Sequence, residues 1–127
     1  MNDFILREAK LELARREFFF YCNIKASDFY KKDRYYLVDF CNELQDFLES
    51  DVEVLIINAP PRHGKSRTLG LFCEWLLGKN KDIKIMTGTY NETLSTTFSK
   101  GVRNSIQEAK ADKDKIVYSD IFPDVRI

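Results

Sequence analysis

The chain has 127 residues, with 20 Lys+Arg against 20 Asp+Glu, 44% hydrophobic and 13% aromatic residues, five Gly and three Pro, so it is sized for one packed domain and not for a disordered tail or a fibre. Up to Ser50 there are 8 basic and 10 acidic residues, and beyond it 12 and 10, so any nucleic-acid contact has to come from local geometry and not from bulk charge. Cys22, Cys41 and Cys73 stand far apart and His63 is the single histidine, which argues against zinc and a disulfide framework; no apolar run suits a membrane span or a signal peptide, and a soluble protein of a reducing cytoplasm fits best.

From Asn2 to about Cys22 the sequence lacks Gly and Pro, and Leu6, Ala9, Leu13 and Phe20 recur at roughly helical spacing, which predicts one helix. Periodicity lapses between Asn23 and Arg34, where the run Lys31, Lys32, Arg34 reads as solvated surface in a connection or short extra helix. Leu37, Cys41, Leu44 and Leu48 form one apolar stripe of a second helix. Residues 1–50 are thus expected to form an N-terminal helical segment.

After Ser50 the pattern changes to VEVLIINAP, a short β-branched run expected for a parallel strand buried on both faces and stopped by Pro60-Pro61. Leu69, Phe72, Cys73 and Leu76 then predict a helix from about Lys65 to Leu77, with Gly78 in the place of a C-terminal glycine. Ile83 to Thr87 reads as a second strand, and Leu94, Phe98, Val102, Ile106 and Ala109 as a further amphipathic helix. A short apolar patch at Ile116 to Tyr118 precedes an end with no evident element, and no internal repeat is present. The order strand, helix, strand, helix predicts an α/β architecture.

The segment Ala59-Pro60-Pro61-Arg62-His63-Gly64-Lys65-Ser66 matches GxxxxGK[ST] at every fixed position but the first, where Ala replaces Gly. Such a loop holds phosphate because consecutive backbone N–H groups turn inward while the following helix points its positive end at the anion. Gly64 permits close approach, Lys65 would reach the β- and γ-phosphates, and the Ser66 hydroxyl would ligate Mg²⁺. Pro60 and Pro61 cannot donate, so the nest would rely on N–H groups from His63 through Arg67. Arg62 could touch the γ-phosphate as an arginine finger does or point into solvent, and His63 is better suited to giving its backbone N–H than to acting as a base.

A P-loop ATPase also needs a strand ending in an acidic pair. Glu74, Asp82, Glu92, Glu108, Asp112, Asp114, Asp120 and Asp124 never follow such a strand.

The stretches DRYYLVDFCNELQDFL, LIINAPPRHGKSRTLGLFCEWLLGKN and KIMTGTYNETLSTTFSKGVRNSIQEAKADKDKIVYSDIFPD resemble the large terminase subunit of tailed phages and prophages, over nearly the whole chain. The resemblance implies a motor with an N-terminal ATPase and a C-terminal RNase H-like nuclease, which cuts concatemeric DNA and drives it into a procapsid in the bacterial host cytoplasm. It implies that residues 51–127 are the first half of an ASCE-type P-loop NTPase core with a partial parallel sheet, and that the cofactors are ATP and Mg²⁺. Partners of the whole protein would be the terminase small subunit, the portal protein and double-stranded DNA.

By the same resemblance Gly64, Lys65 and Ser66 map onto the Walker A residues, with Arg67 following, and Arg62 onto the loop arginine that senses the γ-phosphate. Gln45 resembles the upstream glutamine that reads the adenine edge, its amide being able to donate and accept; an exposed helical Gln is the plain alternative. Tyr90 and Asn91 follow the second strand where related translocases contact DNA or couple it to hydrolysis, although Asn91 could equally cap the helix at Glu92. The Walker B acids, coupling motif and nuclease carboxylates have no counterpart, so neither hydrolysis nor cleavage is credited to these residues. With the intervening strands absent, the VLII run would lack partners and the chain would self-associate or rearrange its strands. Two other readings compete: another P-loop enzyme, such as a small kinase or helicase-like ATPase, and a noncatalytic prophage remnant that binds phosphate without turnover.

Overall fold

The computed structural model describes residues 2–58, 64–89, 91–109 and 115–125. Its regular elements are all helices: α1 Asn2–Arg16, α2 Phe18–Lys25, α3 Tyr35–Glu49, α4 Lys65–Lys79, α5 Glu92–Ile106 and α6 Tyr118–Ile121.

The continuous first helix expected from the sequence is broken at Glu17, whose backbone is extended (φ −123°, ψ 117°). A break orphans a carbonyl on one side and an amide on the other. Gln45 of α3 fills both needs: its Nε2 donates to the Arg16 carbonyl at 2.9 Å and its Oε1 accepts from the Phe18 amide at 3.0 Å. The change of direction turns Phe18, Phe19, Tyr21 and Cys22 inward.

Those residues meet α4. The Phe18 ring lies 5.0 Å from that of Phe72 and 5.5 Å from that of Trp75, within the range of favourable aromatic pairs. Trp75 is fully buried and its Nε1 donates to the Ala14 carbonyl of α1 at 2.8 Å, so a large apolar ring is buried without stranding its donor. On α3, Leu37, Cys41 and Leu44 face the core as their spacing predicts, while Leu48 at the end of the stripe is exposed. The Cys41 and Cys22 thiols touch at 4.0 Å and all three cysteines are free. One hydrophobic cluster draws on all six helices.

Among the described residues there is no sheet. Residues 52–58 and 83–87, read from sequence as strands of an α/β P-loop fold with a partial parallel sheet, form no strand, and among the described residues the protein is all-helical. β-Branched composition disfavours helix in these runs, but a sheet also needs lateral backbone partners, and no ladder joins them. The buried double-faced environment that such a run implies is missing too: Ile56 is 79% exposed and Met86 96% exposed.

Gly78 also plays another part than the one expected. It lies inside α4, which continues to Lys79, and a Cβ there would collide with the Phe122 ring, so the glycine lets the segment after α6 pack onto the helix. Gly78→Ala is expected to lose about 1–3 kcal/mol of stability by overpacking, measured by chemical denaturation against wild type. The exposed apolar runs carry a second expectation, that sedimentation velocity shows association rising with concentration and that Ile56→Lys combined with Met86→Lys returns the protein to monomer. A strictly monomeric wild type at high concentration would contradict it.

Candidate functional site

Of the phosphate-loop residues, Ala59 to His63 lie outside the described residues, Arg62 and His63 among them. Gly64 is the N-cap of α4 and has a left-handed backbone (φ 81°, ψ 14°). Two constraints select glycine: the positive φ, and the Phe29 ring, which a Cβ would meet at 2.7 Å. Thr68 donates the first backbone bond of the helix, to the Gly64 carbonyl at 2.8 Å, so the amides of Lys65, Ser66 and Arg67 have no acceptor in the helix. The side chains of these three residues are exposed at the positive end of a 15-residue helix.

The segment before α3 supplies a further cation. Arg34 and Arg67 both place their guanidinium carbons over the Phe29 ring, at 5.3 and 5.2 Å from its centroid, and Arg34 Nη1 donates to the Phe29 carbonyl at 3.1 Å. The Tyr30 and Thr68 hydroxyls share a buried hydrogen bond at 2.8 Å that pins this segment to α4, and burial raises the Tyr30 phenol well above its usual range. In the basic run read as solvated surface, Lys31 and Lys32 are exposed as expected, but Arg34 is half-buried and belongs to this cluster. Its spacing carried no signal, because what gathers the cluster is the Phe29 ring, which Arg34 shares with the distant Arg67 of α4.

Glu74 was noticed in the sequence only as an acid in the wrong place for an ATPase strand. It faces inward from α4, 3% exposed. Its Oε1 accepts from the Tyr21 hydroxyl of α2 at 2.6 Å and from the Ser105 hydroxyl of α5 at 2.8 Å, and the Tyr118 hydroxyl of α6 donates to its backbone carbonyl at 2.9 Å. Burial pushes the Glu74 carboxyl above its ordinary value; the two hydroxyl bonds and Lys25 pull the other way and Glu108 adds to the rise. The Tyr21 phenol is raised well above normal, first by burial and then by the Glu74 charge. Beside this cluster the nearly buried Lys25 ammonium stands 3.6 Å from Glu108, which Lys115 approaches at 3.4 Å on its other oxygen. The cluster closes one end of a groove of about 650 Å³ between α2, α4 and α5, whose other end opens at Ser66 and Arg67.

The remaining predicted residues are placed elsewhere. Both ends of the Gln45 amide are committed to the α1–α2 junction. Asn91 is the N-cap of α5, its Oδ1 accepting from the Leu94 amide at 2.8 Å, while Tyr90 lies outside the described residues. Among the described residues no group of three or more His, Cys, Asp or Glu side chains could hold a metal ion, and no helix is long and apolar enough to cross a membrane.

No family model matches the chain, and neither does any curated protein or solved structure.

The raised Glu74 carboxyl has a defined linkage. A folded state that holds a proton more tightly than the unfolded state loses stability as pH rises from the ordinary carboxyl range through the raised one. Glu74→Gln keeps an acceptor for Tyr21 and Ser105 without the charge, so wild type is expected to lose stability relative to this variant between acidic and neutral pH, in thermal unfolding at matched ionic strength. Glu74→Leu leaves two hydroxyls unsatisfied and is expected to cost about 1–3 kcal/mol for each that stays buried.

Proposed function

We propose that the chain binds the phosphates of Mg²⁺-ATP at the head of α4, as the nucleotide-binding portion of a phage or prophage terminase large subunit. The observation that supports this reading most is the conformation of Gly64. The glycine of the GKS sequence sits in the left-handed region directly ahead of a long helix, with Lys65 and Ser66 exposed and two guanidiniums beside it. An anion there meets free backbone amides, the helix dipole and the charges of Lys65, Arg67 and Arg34 together.

In this reading Lys65 would neutralise the terminal phosphates as a point charge, and the Ser66 hydroxyl would be the protein's ligand to the Mg²⁺ that offsets their charge. Arg62, in the loop ahead, would contribute if it turns toward the γ-phosphate. DNA packaging, concatemer cleavage, and the small-subunit, portal and double-stranded DNA partners belong to the whole terminase, in the host cytoplasm.

A second reading, phosphate binding without turnover, draws on one specific observation. Among the described residues there is no strand, and so no strand-end acid to hold Mg²⁺ and orient an attacking water.

Isothermal titration with Mg²⁺-ATP tests the proposal. Lys65→Ala is expected to weaken binding at least tenfold, about 1.4 kcal/mol, with no phosphate release by either protein. Equal affinity of wild type and Lys65→Ala would overturn the phosphate site, and steady phosphate release by wild type would overturn binding without turnover.

A further inference from the structure

The groove beside the phosphate site has a polarity that suits one class of ligand. Along α4 it passes Ser66, Arg67, Gly70, Leu71 and Glu74, so the groove carries the Ser66 hydroxyl and the Arg67 guanidinium at one end, an uncluttered apolar middle, and the buried Glu74 carboxylate at the other, where Lys25, Lys115 and Glu108 also line it. Ser66 and Glu74 are eight residues apart, about 12 Å along a helix, a span that suits the distance from the phosphates to the base of an extended nucleotide. Phe98 and Val102 of α5 form the facing apolar wall. A volume of about 650 Å³ lies in the range of small-molecule sites.

The distal end offers an acceptor beside the Lys25 and Lys115 ammonium groups. Glu108 already faces two ammonium groups, whereas both hydrogen bonds to Glu74 fall on Oε1. Among the described residues no buried side-chain oxygen or nitrogen lacks a partner, and Oε2, which accepts no bond from them, therefore keeps some exposure beside the groove that Glu74 lines. An oxygen placed so is suited to receive an N–H donor from a ligand.

We propose that this groove holds the ribose and base of a nucleoside triphosphate whose phosphates lie at the head of α4, with an exocyclic amino group of the base donating to Glu74. The inference rests on the phosphate reading of residues 64–67 and assigns the base to a place that the sequence did not indicate. Gln45, the residue expected to read the base, is occupied at the α1–α2 junction.

Two glycines make the test possible. A Cβ at Gly70 would have its nearest neighbour, the Phe98 ring, at 3.7 Å, and one at Gly101 would meet nothing within 4 Å, so side chains added there enter the groove without colliding with backbone. Mg²⁺ complexes of ATP, of inosine triphosphate, which lacks the amino group, and of inorganic tripolyphosphate are titrated into wild type, Gly70→Leu and Gly101→Leu, with circular dichroism to verify the fold. ATP is expected to bind wild type at least tenfold more tightly than either comparison ligand. Both variants should bring ATP to the affinity of tripolyphosphate and leave tripolyphosphate unchanged.

Equal affinity of ATP and tripolyphosphate for wild type overturns the groove while leaving the phosphate site standing, and needs no variant. An ATP advantage that survives in both folded variants also overturns the groove, and inosine triphosphate binding as well as ATP overturns the amino-group contact. Failure of all three ligands to bind, or ATP binding that Lys65→Ala leaves intact, removes the phosphate reading and this inference with it.

Discussion

The arrangement of α4 depends on a carboxylate that is almost wholly withdrawn from water. Glu74 receives one hydroxyl from α2 and one from α5, while α6 reaches its backbone, so a single turn of α4 fixes three other helices. A charged group in such a position is tolerable only when its hydrogen bonds are made, and making them requires all of the neighbours at once. Apolar packing alone would hold these helices together in several registers. The Glu74 bonds choose one, which is how the groove beside them acquires a definite shape.

The same turn of α4 carries Trp75 toward α1 and Leu71 toward the core, so the helix is sandwiched and its head projects from a rigid body. Thr68 does the equivalent work one end further along, tied to Tyr30 through their hydroxyls. Gly64, Lys65 and Ser66 therefore head a helix whose position is set by buried polar bonds on two sides. A phosphate site gains from such support because the amides need not be reorganised on binding.

Helices were legible in the sequence where a stripe was regular: α3, α4 and α5 lie close to where Leu37–Leu48, Leu69–Leu76 and Leu94–Ala109 place them, although α5 ends at Ile106, short of Ala109. The split at Glu17 was not, because nothing local breaks the pattern and the cause is Gln45, almost thirty residues away. The strands failed for the converse reason. VEVLII and IKIMT have strand composition, yet composition describes one chain segment and a sheet is a relation between segments. At the site, GKS and its following helix were readable as a motif, while Arg34, Phe29 and Glu74 were invisible because their roles arise from contacts across the fold. Asn91 shows how a short motif can be read two ways: the cap it forms was one of its two sequence readings.

The glutamine staple at the α1–α2 junction couples local and distant structure. Without α3, a bent chain leaves the Arg16 carbonyl and the Phe18 amide to water, whereas an unbroken helical rod would pair them internally. Docking of α3 exchanges that rod for the elbow that presents Phe18 and Tyr21 to α4. The angle between the two amino-terminal helices is thus held by a residue that belongs to neither, and the aromatic core that Phe18 and Tyr21 enter depends on it.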